Sequence, residues 1–139
     1  RADAVADADA PPFFFADLAA HNEAAWSRLD GAQALPAASV PCLPAGAAAL
    51  LASGAMGVAK GRSPAHNDVC VHLAVLRLPA VSSDLLVSVT AATRVDAASA
   101  AAARAGVGER GGGVVEESRQ LLLDVLGSLE VRDWGLFGG

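Results

Sequence analysis

Cysteine is nearly absent from this chain: Cys42 and Cys70 are the only two in 139 residues. That excludes a disulfide framework and makes a reducing compartment the default expectation. Basic residues are also few. Ten Lys and Arg against fifteen Asp and Glu leave a formal net charge of −5, which argues against nucleic-acid binding, since phosphate recognition needs clustered cations. An acidic surface suits a basic partner, whose approach it would steer. No apolar run reaches the length of a membrane span, and even Gly46 to Ala59 is short and rich in alanine and glycine. The three histidines, His21, His66 and His72, lack metal-ligand spacing. No nucleophile elbow is present, so a Ser-His-Asp set drawn from Ser83, His72 and Asp84 has no support. Asp3, Asp7 and Asp9 are wrong for a transit or secretory peptide.

What is present is concentrated between Val69 and Thr90. Val69, Val71, Leu73 and Val75 alternate with Cys70, His72, Ala74, Leu76 and Leu78, and both sets are largely apolar, so the spacing predicts a central strand covered on both faces. Pro79 ends it, because proline has no N–H to give to a ladder. A second strand follows, with Leu85, Val87 and Val89 on one face and Asp84, Leu86, Ser88 and Thr90 on the other. With Pro79 to Ser83 as the connection, the segment reads as an antiparallel hairpin. Arg77 and Asp84 flank its loop and suit an ion pair of little net value.

Elsewhere the signals are uneven. Residues 1–12 read as a solvated lead-in ending in Pro11-Pro12, and 13–139 as a single α+β domain with a flexible low-complexity loop at 93–113. A helix is expected from Ala16 to Ala25 with Asp17 at its start, a turn at Asp30-Gly31, a short helix over Leu43 to Leu51, and a strand over Ala55 to Lys60. In the last helix Ser118, Leu122, Val125, Leu126 and Leu129 share a face behind Glu116 and Glu117. Trp134, Leu136 and Phe137 suit an anchor for the tail. Gly106 to Gly111 matches the dinucleotide motif G-x-G-x-x-G but lacks the strand such a motif must follow, so a plain loop is expected. His72 and Cys70, one pleat apart, read as a structural imidazole beside a buried thiol.

The wording Leu73-Ala-Val-Leu-Arg-Leu-Pro79, three residues, then Ser83-Asp-Leu-Leu-Val87 resembles the Ran guanine nucleotide release factor family. Phe15 to Ala24, Val58-Ala59-Lys60 and Ser128 to Gly138 follow the same family order. The resemblance implies an α/β/α sandwich of the kind shared with PsbP-type photosystem subunits: a mostly antiparallel sheet flanked by helices, here expected to lack its N-terminal strands and the acidic stretch Asp-Asn-Gln-Glu-Val. It further implies a monomeric partner of the Ran GTPase in nucleus and cytoplasm, promoting nucleotide release in nuclear protein import. No catalytic residue, cofactor, nucleic acid or membrane would be needed. Asp17, Asn22 and Glu23 match the family helix near its Ran-contacting region and are the candidate partner residues, with a solvated helix face as the competing reading. A PsbP-like structural subunit, a fragment without partner binding, or a nucleotide-binding enzyme using the glycine motif are the alternatives.

Overall fold

The computed structural model describes residues 5–59, 66–95, 108–109 and 113–137. Helix α1 (Ala10–His21) is followed by four long strands, β1 (Trp26–Ala34), β2 (Ala48–Ala59), β3 (His66–Leu78) and β4 (Ser83–Val95), then the two-residue β5 (Gly108–Glu109) and helix α2 (Gly113–Ser128). The sheet is antiparallel throughout and its spatial order, β1-β2-β3-β4-β5, is the chain order. The fold class is therefore α+β, as the sequence implies.

The expected hairpin forms from Leu78↔Ser83 outwards, joined by a 3-10 turn at Pro79–Val81. β3 is buried on both faces from Val69 to Leu78. On one face Val69, Val71, Leu73 and Val75 meet Leu50, Ala52 and Met56 of β2 under Phe15 and Ala19 of α1. On the other face Ala74 and Leu76 join Ala49, Leu51 and Val40 against Leu122 and Leu126 of α2. The period-two alternation thus builds two cores, one under each helix. α2 holds Ser118, Leu122 and Leu126 buried and Leu129 half-buried, while Val125 turns 38% of its surface outward.

Several expectations are corrected. The first helix starts at Ala10, six residues early, because prolines at its first positions have no intrahelical bond to lose. Asp17 therefore lies in mid-helix and not at its start. Of the supposed lead-in, Asp7–Asp9 is a 3-10 turn and Ala10 and Pro11 are buried; residues 1–4 lie outside the described part. Asp30-Gly31 is no turn but a bulge in β1, between the pairs Leu29↔Gly54 and Gly31↔Ser53. The helix expected over Leu43 to Leu51 is absent: β2 begins at Ala48 and runs twelve residues. Pairing with both neighbours overrides the weak strand propensity of alanine and glycine. Of the loop expected at 93–113, residues to Val95 extend β4, and Gly108 and Glu109 pair back on Val95 and Arg94; most of the remainder, with most of the glycine motif, lies outside the described residues. Trp134 and Phe137 rest on each other with centroids 5.8 Å apart, but Leu136 is 82% exposed, so it anchors nothing.

Candidate functional site

The candidate residues sit around the C-terminal end of α1. Phe15, Leu18, Ala19 and Asn22 recur at helical spacing towards the sheet, which turns Asp17 to the solvent side. Asn22 is the C-cap, its N–H donating to the Leu18 carbonyl at 3.0 Å. Glu23 follows with φ 51°, where glycine is usual. Its N–H donates to Ala20 O at 3.1 Å and that of Ala24 to Ala19 O at 3.0 Å, the paired bonds of a Schellman stop. The chain then enters β1 through Ala25 N–H to Gly57 O at 2.9 Å.

Asn22 lines a cleft of about 430 Å³ with Val58, Ala59, Asn67, Val69, Thr90 and Ala92. α1 lies across β1, β2 and β3, and beyond it Leu86, Ser88 and Thr90 of β4 are exposed. The structure therefore places Asn22 on the wall of this cleft, with Glu23 next to it in the turn that ends α1, and sets Asp17 apart on the outer side of the helix. Asn67, Thr90 and Ala92 were missed by sequence reasoning; the β3 to β4 register sets Thr90 and Ala92 opposite Val71 and Val69, and the β2 to β3 register sets Asn67 opposite Val58. Lys60 lies outside the described residues.

At the opposite end of the sheet Arg77 and Asp84 do pair, Nε to Oδ1 at 3.0 Å, but their side chains are 2% and 4% exposed. This corrects the reading of a weak surface pair: two charges removed from water depend on one another. Arg77 also donates from Nη2 to the Val5 carbonyl at 3.0 Å and lies 3.6 Å from Asp7. The R-L-P-x-x-x-S-D wording is thus a clamp holding the segment ahead of α1 to the hairpin.

His72, on the central strand, has both ring nitrogens in hydrogen bonds. Its Nε2 lies 2.9 Å from Val115 O and its Nδ1 2.8 Å from Ser53 Oγ. A carbonyl only accepts, so Nε2 carries the proton and Ser53 donates to Nδ1. Cys70 meets Ser118 Oγ at 3.4 Å, and Ser118 also bonds to Val114 O. Burial holds the His72 pKa below the usual imidazole range, with Arg119 acting the same way and the Val115 carbonyl and Glu116 opposing. The unfolded chain therefore binds more protons than the folded one just below about pH 6.5. Stability is complete above that pH and falls as pH drops towards the folded-state pKa. Urea unfolding from about pH 8 to about pH 5 is expected to show this loss in the wild type, and His72→Asn to flatten that part of the profile.

Among the described residues no group of His, Cys, Asp and Glu is placed to hold a metal ion, and no helix is long and apolar enough to cross a membrane. Gly108 and Glu109 form an antiparallel strand and do not open a helix, unlike the glycines of a dinucleotide site.

A search of curated proteins finds no match. The family model described as Ran-interacting Mog1 protein matches residues 1–92, from ahead of α1 through most of β4, including Asp17, Asn22, Glu23 and the Arg77–Asp84 clamp; α2 and the tail lie outside the match. With about two thirds of its length so matched, and with the hairpin wording pointing the same way, the chain belongs to the family of Ran-interacting Mog1 proteins.

Proposed function

We propose that this chain binds the GTPase Ran and promotes release of its guanine nucleotide, supporting nuclear protein import as a monomer acting in nucleus and cytoplasm. The family match over residues 1–92 is the observation that carries this reading. The net charge of −5 supports it, since an acidic surface speeds encounter with basic patches. A release factor needs no bond chemistry: it works by holding the nucleotide-free GTPase more tightly than the loaded one, and the ratio of those affinities sets how far the nucleotide is displaced. No catalytic residue or cofactor enters this mechanism.

The turn at Asn22 and Glu23, with Asp17 on the adjoining helix, is the proposed contact. Release of a fluorescent guanine nucleotide from Ran tests the function: the chain is expected to accelerate it in proportion to complex formed, and an unchanged rate at saturating chain contradicts the release role.

Glu23→Gly separates contact from scaffold. Relieving a left-handed backbone at a non-glycine residue is expected to stabilise the fold by about 1 kcal/mol, read as a higher Tm, while the loss of the carboxylate weakens Ran binding. A stabilised variant with unchanged affinity would remove Glu23 from the contact.

A further inference from the structure

A second cleft, of about 220 Å³, opens on the other face of the sheet, between α2 and the exposed strand β1. Its walls are Gly31, Ala32 and Gln33 of β1, Leu51 and Ser53 of β2, and Arg119 of α2. Arg77 and Arg119 are the described arginines that are not exposed. Arg77 is paired with Asp84, whereas Arg119 is half-buried and, among the described residues, its guanidinium has no ion pair or hydrogen bond. A guanidinium partly withdrawn from water without a counter-charge is favourable ground for an oxyanion.

We propose that this cleft binds a small oxyanion, a carboxylate or phosphate, with Arg119 supplying the charge and the Ser53–His72 pair supplying a hydroxyl donor that becomes available when His72 takes up a proton. In the empty state the Ser53 hydroxyl donates to His72 Nδ1 across 2.8 Å, and the Val115 carbonyl fixes that tautomer across 2.9 Å. Ser53 then offers only lone pairs to the cleft, which suits an anion poorly. One proton taken from solvent at Nδ1 reverses the bond: His72 donates to Ser53 Oγ, and the hydroxyl hydrogen turns to the ligand beside Arg119 and the Gln33 amide.

Among the described residues, the charged groups facing His72 are Glu116 and Arg119, both from α2. Cys70 lies one pleat along the same face, Ser53 is the facing residue of β2, and Val89 is its partner on β4. Arg119 opposes protonation of His72 in the empty cleft, and a bound anion offsets that repulsion. Anion and proton are therefore taken up together, and each favours the other by the same factor.

The test is a nuclear magnetic resonance titration of the His72 ring in the full chain, with and without inorganic phosphate and, separately, acetate. Either anion is expected to raise the His72 pKa by about one unit, and by reciprocity to bind about tenfold more tightly to the protonated form. Acetate acting alone assigns the site to carboxylates and phosphate acting alone to phosphates. Arg119→Gln is expected to abolish the shift and Arg119→Lys to keep part of it. Ser53→Ala is expected to retain binding while weakening its pH dependence. A His72 titration unmoved by both anions, or moved equally in Arg119→Gln, overturns the proposal.

Discussion

Replacing Arg77 by Met, or Asp84 by Leu, is expected to cost about 3–5 kcal/mol, because either change strands the opposite charge in the interior. The pair is buried to 2% and 4% side-chain exposure at a separation of 3.0 Å, and Arg77 and Asp84 face each other in the β3 to β4 register. A loss of that size is a large part of the stability of an ordinary domain. The double variant Arg77→Met with Asp84→Leu is expected to recover most of it, since two apolar side chains replace two charges that needed one another. It is not expected to recover the segment ahead of α1, because the bond from Arg77 to the Val5 carbonyl and the proximity of Asp7 are lost as well. Urea midpoints read the first effect. Amide exchange at the start of α1 reads the second, and an unchanged exchange pattern in the double variant would show that the clamp does not hold that segment.

Phe15→Ala is expected to cost about 3–5 kcal/mol. Phe15 is 3% exposed and lies over Gly54, where an added Cβ would run into both the Phe15 ring and the Arg28 carbonyl oxygen. The ring thus covers backbone that carries no side chain of its own, and removing it opens a cavity above β2 in the core beneath α1. Gly54→Ala is expected to cost about 1–3 kcal/mol by overpacking. Combining Phe15→Leu with Gly54→Ala is not expected to compensate, because the Arg28 carbonyl belongs to the paired backbone of β1 and cannot withdraw. Thermal unfolding of the set decides: mutual rescue would place the whole constraint in the ring.

The hairpin and the last helix were legible in the sequence for a physical reason. Val69 to Leu78 carries branched apolar residues on both faces, and that pattern has few uses besides a doubly covered strand. Ser118, Leu122 and Leu126 repeat at one helical face. Of β2, the strand expected from Ala55 holds as far as Ala59, but the first part, Ala-Ala-Leu-Leu-Ala-Ser-Gly from Ala48 to Gly54, was not legible because it is strand only in context. Phe15 over Gly54, and Trp26 beside Gly57, require small residues there, and those residues conceal the strand. The start of α1 was hidden by two prolines that read as breakers inside a helix and as openers at its first turn.

The candidate contact was only partly legible for the same reason. Moving the helix start from Ala16 to Ala10 takes Asp17 out of the first turn and places Asn22 at the helix end. The left-handed backbone of Glu23 has no sequence mark at all, since glycine is the usual residue there. Arg77 and Asp84 were legible as a pair because a short loop sets them opposite. Their burial was not, as it depends on the segment around Val5 and Asp7, some seventy residues earlier in the chain. His72 likewise depends on Ser53 and Val115, neither near it in sequence.

The most direct measurement is calorimetric titration of this chain into nucleotide-free, GDP-loaded and GTP-loaded Ran. Saturable binding is expected, tightest to the nucleotide-free form and weakened at higher salt as the acidic surface is screened. A folded chain that binds none of the three forms, or that binds all three equally, would contradict the proposal that this member of the family acts by releasing nucleotide from Ran.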